Sequence, residues 1–141
     1  GSGDGISMRN AKVKLIDVAL TGCDSNALEV SASTSETILV ATRCEFANSY
    51  HGAYVDGILI SATFKNCVFH DNKYYGVYAS QSTIHLHGEA TAIHVNEHSG
   101  IFSSNSAKVI IHLPSHHNTT YNNERRDRFT HQGGTITNVE D

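Results

Sequence analysis

Short runs of alternating apolar and polar residues recur along this chain, with turn-forming residues between them. Leu28 and Val30, Ala53 and Val55, Val77 and Ala79, and Ile101 and Ser103 fall on one side of these runs. Glu29, Tyr54, Tyr78 and Phe102 fall on the other. A period of two, bounded by Gly, Asn, Ser and Asp, predicts short β-strands with one buried face. No window carries a sustained helical stripe, so the expected class is all-β.

The runs themselves repeat. Asn48, Asn72 and Asn96 lie 24 residues apart, and Gly52, Gly76 and Gly100 keep the same step. A weaker copy covers Leu20 to Val30, and a half copy covers Gly5 to Met8. A second phase runs through Val13, Ile38, Ile60, Ile84 and Val109. Two residues further on, Leu15, Val40, Ala62, Leu86 and Ile111 follow it. Periods of this size belong to solenoids and other repeat arrays. Each repeat predicts two or three strands, stacked in parallel on those of the next rung at about 4.8 Å. Parallel strands need a crossover, and here the rest of the rung supplies it.

The Asn and Gly repeats, set on this alternation, resemble the right-handed parallel β-helix repeat family of the pectin-lyase-like type. The resemblance covers residues 5–113. It implies a right-handed, single-stranded parallel β-helix of about five rungs. Asn48, Asn72 and Asn96 are expected to form a ladder, each amide bonding its own turn and the Asn stacked above it. Gly52, Gly76 and Gly100 are expected to relieve a sharp turn of positive φ. Gly1-Ser2-Gly3 reads as a cloning scar, which makes residues 1–4 a linker. Gly5 then joins the coil in mid-rung, which points to a piece of a longer solenoid. Residues 114–131 are polar and charged and are expected to form a cap or a loop, since solenoids need polar ends. Within 114–141, Gly133 to Val139 offers one last short strand.

Cys44, Cys67 and Thr91 share a phase with Val18, and each stands two before Phe46, Phe69, Ile93 and Leu20 in turn. Phe46 and Phe69 are therefore expected to stack in the core. Cys44 and Cys67 are expected in one inward column, within reach of each other but as free thiols. Cys23 falls in the slot that Asn fills later. Three cysteines make no disulfide framework, and no CxxC offers a zinc site. The odd count points to a reducing compartment and the Asn118-Thr119-Thr120 sequon to an oxidising one, so the location stays open. The length, 141 residues, suits one domain, and a thin core agrees with 39% apolar content and no Trp. The formal charge of −4 argues against a nucleic-acid groove. Neither a membrane-spanning run nor a signal peptide is visible.

Function then rests on the outward columns. Tyr54, Tyr78 and Phe102 form one, and Tyr50, Tyr74 and His98 form a second beside it. Three readings stand: rings that only stabilise the coil, a face for a protein partner or a second copy, and a platform for sugar rings. Histidine is abundant, ten in all. His85 and His87 flank Leu86 and point outward, and His112 lies one rung above His87. Three imidazoles on one face fit zinc, with a solvated polar face as the alternative and no other cofactor expected. His70 and His94 form another column, and His116 and His117 sit in the expected cap. The outward carboxylates Glu29, Glu45, Asp56, Asp71, Glu89 and Glu97 are scattered, with no pair placed across a glycosidic bond. The Asp-Pro-His signature of alginate epimerases is absent. Two classes remain: a non-catalytic binding or scaffold module, and a fragment of a polysaccharide-processing enzyme (lyase, epimerase or hydrolase).

Overall fold

The computed structural model describes residues 3–113 and 119–140. It is a parallel β-solenoid of about five turns, with no helix among the described residues. The first rung holds β1 (Ile6–Met8), β2 (Lys12–Ile16) and β3 (Ala19–Thr21). The second holds β4 (Leu28–Val30), β5 (Thr37–Thr42) and β6 (Glu45–Ala47), and the third β7 (Ala53–Asp56), β8 (Ile60–Lys65) and β9 (Val68–His70). Then come β10 (Tyr75–Ser80), β11 (Thr83–His87) and β12 (Ala92–His94), followed by β13 (Ser99–Ser104), β14 (Lys108–Leu113) and β15 (Thr120–Tyr121). Strands β16 (Arg126–His131) and β17 (Thr135–Glu140) lie on top. The strands make three parallel sheets: β1-β4-β7-β10-β13-β16, β2-β5-β8-β11-β14-β17 and β3-β6-β9-β12-β15.

The alternation decides which side chains enter the coil. In the first sheet Leu28, Ala53, Val77 and Ile101 stack inward, while Glu29, Tyr54, Tyr78 and Phe102 stack outward. In the third sheet Phe46 stacks on Phe69 with ring centroids 4.9 Å apart, and Phe64 meets both edge-on. Cys44 and Cys67 are buried free thiols that donate to backbone carbonyls. The second sheet corrects the sequence phase. Its inward columns are Val13, Leu39, Ala62, Ile84 and Val109, then Leu15, Ala41, Phe64, Leu86 and Ile111. Ile38 and Val40 sit one residue away from these columns and face outward. A one-residue slip in a strand turns every side chain over, and the rung lengths vary enough to cause it.

The Asn ladder is also shifted by one. Its members are Ser49, Asn72, Asn96 and Asn123; the backbone N–H of each of the first three donates to the Oδ1 of the next Asn, and that of Asn123 to Asp127 Oδ1. Asn72 Nδ2 donates to Asn96 Oδ1 at 2.9 Å, and Asn96 Nδ2 to Asn123 Oδ1 at 2.8 Å. Asn123 Nδ2 donates to Asp127 Oδ1, where the ladder ends. Cys23 occupies the same slot below, its N–H donating to Ser49 Oγ. Asn48 lies outside the ladder. It belongs to the neighbouring column with Asp71, Val95 and Asn122, all with φ between 51° and 56°. Asn serves both columns well, because it tolerates the left-handed conformation and its amide can bridge rungs.

Gly52, Gly76 and Gly100 differ from expectation in their reason. None of them has positive φ. They are needed because the next rung comes too close for a side chain. A Cβ on Gly76 would lie 2.7 Å from Asn96 Nδ2 and 2.8 Å from the Gly100 carbonyl oxygen. Gly52 faces Asn72, and Gly100 faces Asn123, in the same way. Ala27 fills this column one rung lower, where the ladder residue above it is the smaller Ser49.

Both chain ends depart from the expected layout. Gly3 and Asp4 already join the stack: Gly3 O accepts from Ser25 N, and Asp4 Oδ1 from Asn26 N at 2.9 Å. Residues 120–131, expected as cap or loop, supply β15 and β16, and β17 is the last short strand expected within Gly133 to Val139. The inward positions over Ile93, Ile101 and Ile111 are there taken by Thr120, Arg128 and Asn138. Arg128 Nε donates to Thr120 Oγ1 at 3.1 Å, and Nη1 to Asn138 Oδ1 at 2.6 Å. The cap is thus a polar bridge built inside a β-rung, closing the lumen from three sides. His116, His117 and Asn118 of the sequon lie outside the described residues.

Candidate functional site

The turn before the first sheet and the sheet's outer face carry an aromatic ribbon. Tyr54, Tyr78 and Phe102 follow one another outward at 4.9 and 5.0 Å with their rings tilted by 47° and 41°, and Phe129 stacks on Phe102 at 4.8 Å. Tyr50, Tyr74 and His98 stack across the turn at 5.6 and 4.5 Å. Between the two runs a third column, His51 on Tyr75, at 5.3 Å and 6°. Tyr75 also touches Tyr74, Tyr78, His98 and Phe102, so it joins the outer columns into one surface. Sequence reasoning missed His51, Tyr75 and Phe129. His51 and Tyr75 precede the ladder glycines, at the turn, where alternation no longer gives a direction. Phe129 follows Phe102 by 27 residues rather than 24.

The rings spend most of their area on one another. Phe102 is 9% exposed, Tyr75 6% and His51 8%, whereas Tyr50 reaches 44%. Because the columns run along the coil axis, each ring packs on the ring above or below, face to face along Tyr50, Tyr74 and His98 and tilted along Tyr54, Tyr78 and Phe102. Edges and hydroxyls make up most of what remains for solvent. Burial pushes the Tyr75 hydroxyl up to about 12, with Tyr74 adding to it. Tyr54 is also raised to about 12 by burial, then by Asp56, whose Oδ2 accepts its hydroxyl at 3.2 Å. Burial lowers His51 to about 4. Its Nδ1 accepts the Tyr75 N–H, which a protonated ring cannot do. The ends of the ribbon carry opposite charge. Glu29 stands below Tyr54 in the outer column, and Arg125 and Arg126 lie beyond His98. Arg126 packs over the Phe129 ring at 4.6 Å.

The second sheet brings His85, His87 and His112 together on its outer face. One ring nitrogen from each lies within 4.8 Å of the others. His85 Nδ1 and His112 Nε2 are 2.8 Å apart, and the rings of His87 and His112 stack at 3.9 Å. Glu89, the nearest carboxylate in sequence, is not part of the group. Burial, and then His112, hold His85 below the ordinary histidine range.

The third sheet gathers a charged group that the sequence left scattered. His70 Nε2 faces Glu45 Oε2 at 2.6 Å, and His70 Nδ1 faces Asp71 Oδ2 at 2.5 Å. Burial works to lower its pKa, but the bonds to Asp71 and Glu45 outweigh this and raise it. Two carboxylates, one on each ring nitrogen, favour the imidazolium. His94 stacks on His70 at 5.4 Å and Tyr121 on His94 at 5.0 Å. Glu45 also borders an open cleft of about 420 Å³ with Asp17, Arg43 and Asn66. Of the remaining outward carboxylates, Glu29 and Asp56 lie on the first sheet's outer face, and Glu97 lines a second cleft together with Asp71. Among the described residues no helix is long and apolar enough to cross a membrane.

The family model described as a right-handed β-helix region matches residues 4–140. No curated protein matches the chain, and no solved structure does.

Proposed function

Since the chain belongs to the right-handed β-helix family, a fold that carries many activities and none by itself, we propose that it is a non-catalytic scaffold whose aromatic ribbon docks a protein surface, first of all a second copy of itself. One observation carries this reading: the ribbon's rings lie against one another, stacked along Tyr50, Tyr74 and His98 and tilted along Tyr54, Tyr78 and Phe102, so much of their face area is already taken and edges and hydroxyls make up most of what is left to a partner. Sugars bind aromatic platforms through open ring faces, and here neighbouring rings take up much of that area. Tyr edges with hydroxyls suit protein interfaces, where Tyr and Arg are enriched. Charge agrees. A two-fold axis across the ribbon lays it antiparallel on its copy, which sets Glu29 against Arg125 and Arg126 of the other molecule.

Sedimentation velocity over a range of concentrations tests the reading. A dimer is expected that dissociates in Tyr50→Ser/Tyr74→Ser and weakens in Glu29→Lys. A single monomeric boundary at every concentration overturns it. Glycan-array binding lost in the same Tyr variants would return the ribbon to sugar recognition.

A polysaccharide-processing activity has one specific observation in its favour, the Glu45–His70–Asp71 group beside the cleft. Incubation with pectin and alginate, read by ultraviolet absorbance and reducing ends, tests it. Turnover lost in His70→Gln would establish it.

A further inference from the structure

We infer that His85, His87 and His112 form a binding site for one divalent transition-metal ion, with zinc as the expected occupant. The site needs nothing from the ribbon and lies on a different sheet. Its donors are of one kind, imidazole nitrogen, which suits zinc, nickel and copper and not magnesium or calcium. In a tetrahedral site with Zn–N near 2.0 to 2.1 Å, neighbouring nitrogens stand about 3.3 Å apart. The three nitrogens here already lie within 4.8 Å of one another, and His85 and His112 are at 2.8 Å. The rings now lie nearly parallel, at 10° to 29° to one another, so binding turns the side chains out of their stack until the nitrogens face a shared point.

The sheet explains the placement. His85 and His87 alternate with Leu86, which is fully buried, so both rings are thrown to the same side of β11. Leu86 pairs with Ile111, which sets His112 directly over His87. The register thus supplies two ligands from one strand and a third from the next rung. Residues on either side of the group are short or apolar: Thr63 pairs with His85 from below, and Ile110 and Val139 lie above. Lys65 pairs with His87 from below and is exposed, so its ammonium has room to turn away.

Metal binding here releases no proton from the neutral group. Between His85 Nδ1 and His112 Nε2 one nitrogen carries the hydrogen and the other accepts it. When the ion takes both lone pairs, that hydrogen moves to the far nitrogen of its own ring by tautomer exchange through solvent. Three protein ligands leave a fourth position for water, the open arrangement of a three-histidine zinc site. With no carboxylate in the group and Lys65 nearby, the affinity expected is on the order of micromolar.

The test uses the full chain, stripped with EDTA and titrated with zinc chloride by calorimetry. One equivalent is expected to bind. His85→Gln and His112→Gln are each expected to weaken binding at least tenfold, while His94→Gln leaves it unchanged. Cobalt(II) should give the intense visible bands of a low-coordinate nitrogen site, bleached by zinc. In case a variant folds poorly, imidazole ¹H–¹⁵N spectra of the wild-type chain give a second readout. Zinc should shift His85, His87 and His112 and spare His51 and His70. Absence of saturable binding, binding undiminished in His112→Gln, or shifts confined to other histidines would overturn the assignment.

Discussion

Arg128 reaches across the lumen of the coil and donates to Asn138 Oδ1 at 2.6 Å, above the stack that ends in Ile101 and Ile111. The guanidinium holds Thr120 with its other edge, so one side chain ties the three sheets together where the core stops. Arg128→Ala removes both bonds and uncovers apolar carbon. A loss of about 1 to 2 kcal/mol is expected in urea unfolding. Light scattering should rise at the same time, because an uncovered solenoid end is adhesive. Unchanged stability and scattering would show the bridge to be ornamental.

Gly76 and Asn96 are coupled through space. The Asn96 amide occupies the volume that a Gly76 side chain would need, and the rung with Ser49 in that place carries Ala27 instead. Gly76→Ala is expected to destabilise by about 2 to 4 kcal/mol, within the range of overpacked sites. Asn96→Ser loses ladder bonds of its own, about 1 to 3 kcal/mol. The double variant should be less unstable than the sum by at least ~1 kcal/mol. A double-mutant cycle in urea measures it, and strict additivity would refute the coupling.

Val95 holds a backbone conformation that suits it poorly. Its φ is 56° with a β-branched side chain, in a column otherwise taken by Asn48, Asp71 and Asn122. The side chain is 45% exposed, so little packing is lost on replacement. Val95→Asn is expected to stabilise by about 1 kcal/mol. A lower midpoint of thermal unfolding for the variant would contradict this.

His51 and His70 give the protein opposite responses to pH. The unfolded His51 takes a proton near 6.5, whereas the folded one resists until about 4. Stability from its neutral form is therefore present above 6.5 and falls as pH drops toward 4, by on the order of 2 to 3 kcal/mol. His51→Asn keeps an acceptor for the Tyr75 N–H and should flatten that slope. The pKa of His70 is raised, so its contribution is complete below 6.5 and is lost as pH rises through the folded value. Urea unfolding at several pH values, for wild type, His51→Asn and His70→Gln, separates the two. Parallel curves for wild type and His51→Asn between pH 6.5 and 4 would rule out the first effect.

The strands and the parallel stacking were legible because buried and exposed residues alternate with little noise from Leu28 to Ile111. The exact register was less so. Asn48, Asn72 and Asn96 keep a step of 24, yet Cys44 to Cys67 and Phe46 to Phe69 step by 23. The core pairs carry the true register, since packing tolerates no slip. The Asn spacing is a coincidence of two adjacent columns that both favour Asn. Of the last rung only the final strand, within Gly133 to Val139, was legible, because the rest is hidden by its own function. Thr120, Arg128 and Asn138 erase the apolar signal where the coil must be closed. At the candidate sites, Tyr54, Tyr78 and Phe102 were readable from a constant step, and His85, His87 and His112 from their place beside Leu86 and Ile111. The Glu45–His70–Asp71 group was not, because its members come from two rungs and a turn, and no periodicity links an acid to the base it will meet.

The polar bridge also has a meaning for synthesis. Synthesis runs from the N-terminal side, so each new rung docks on the one made before it. Until Thr120, Arg128 and Asn138 emerge, the growing stack ends on bare isoleucine and valine. The stack is thus most adhesive in the interval before that bridge forms. A chain cut ahead of Thr120, though its lower rungs are folded, would be the species that chaperones and proteases must find.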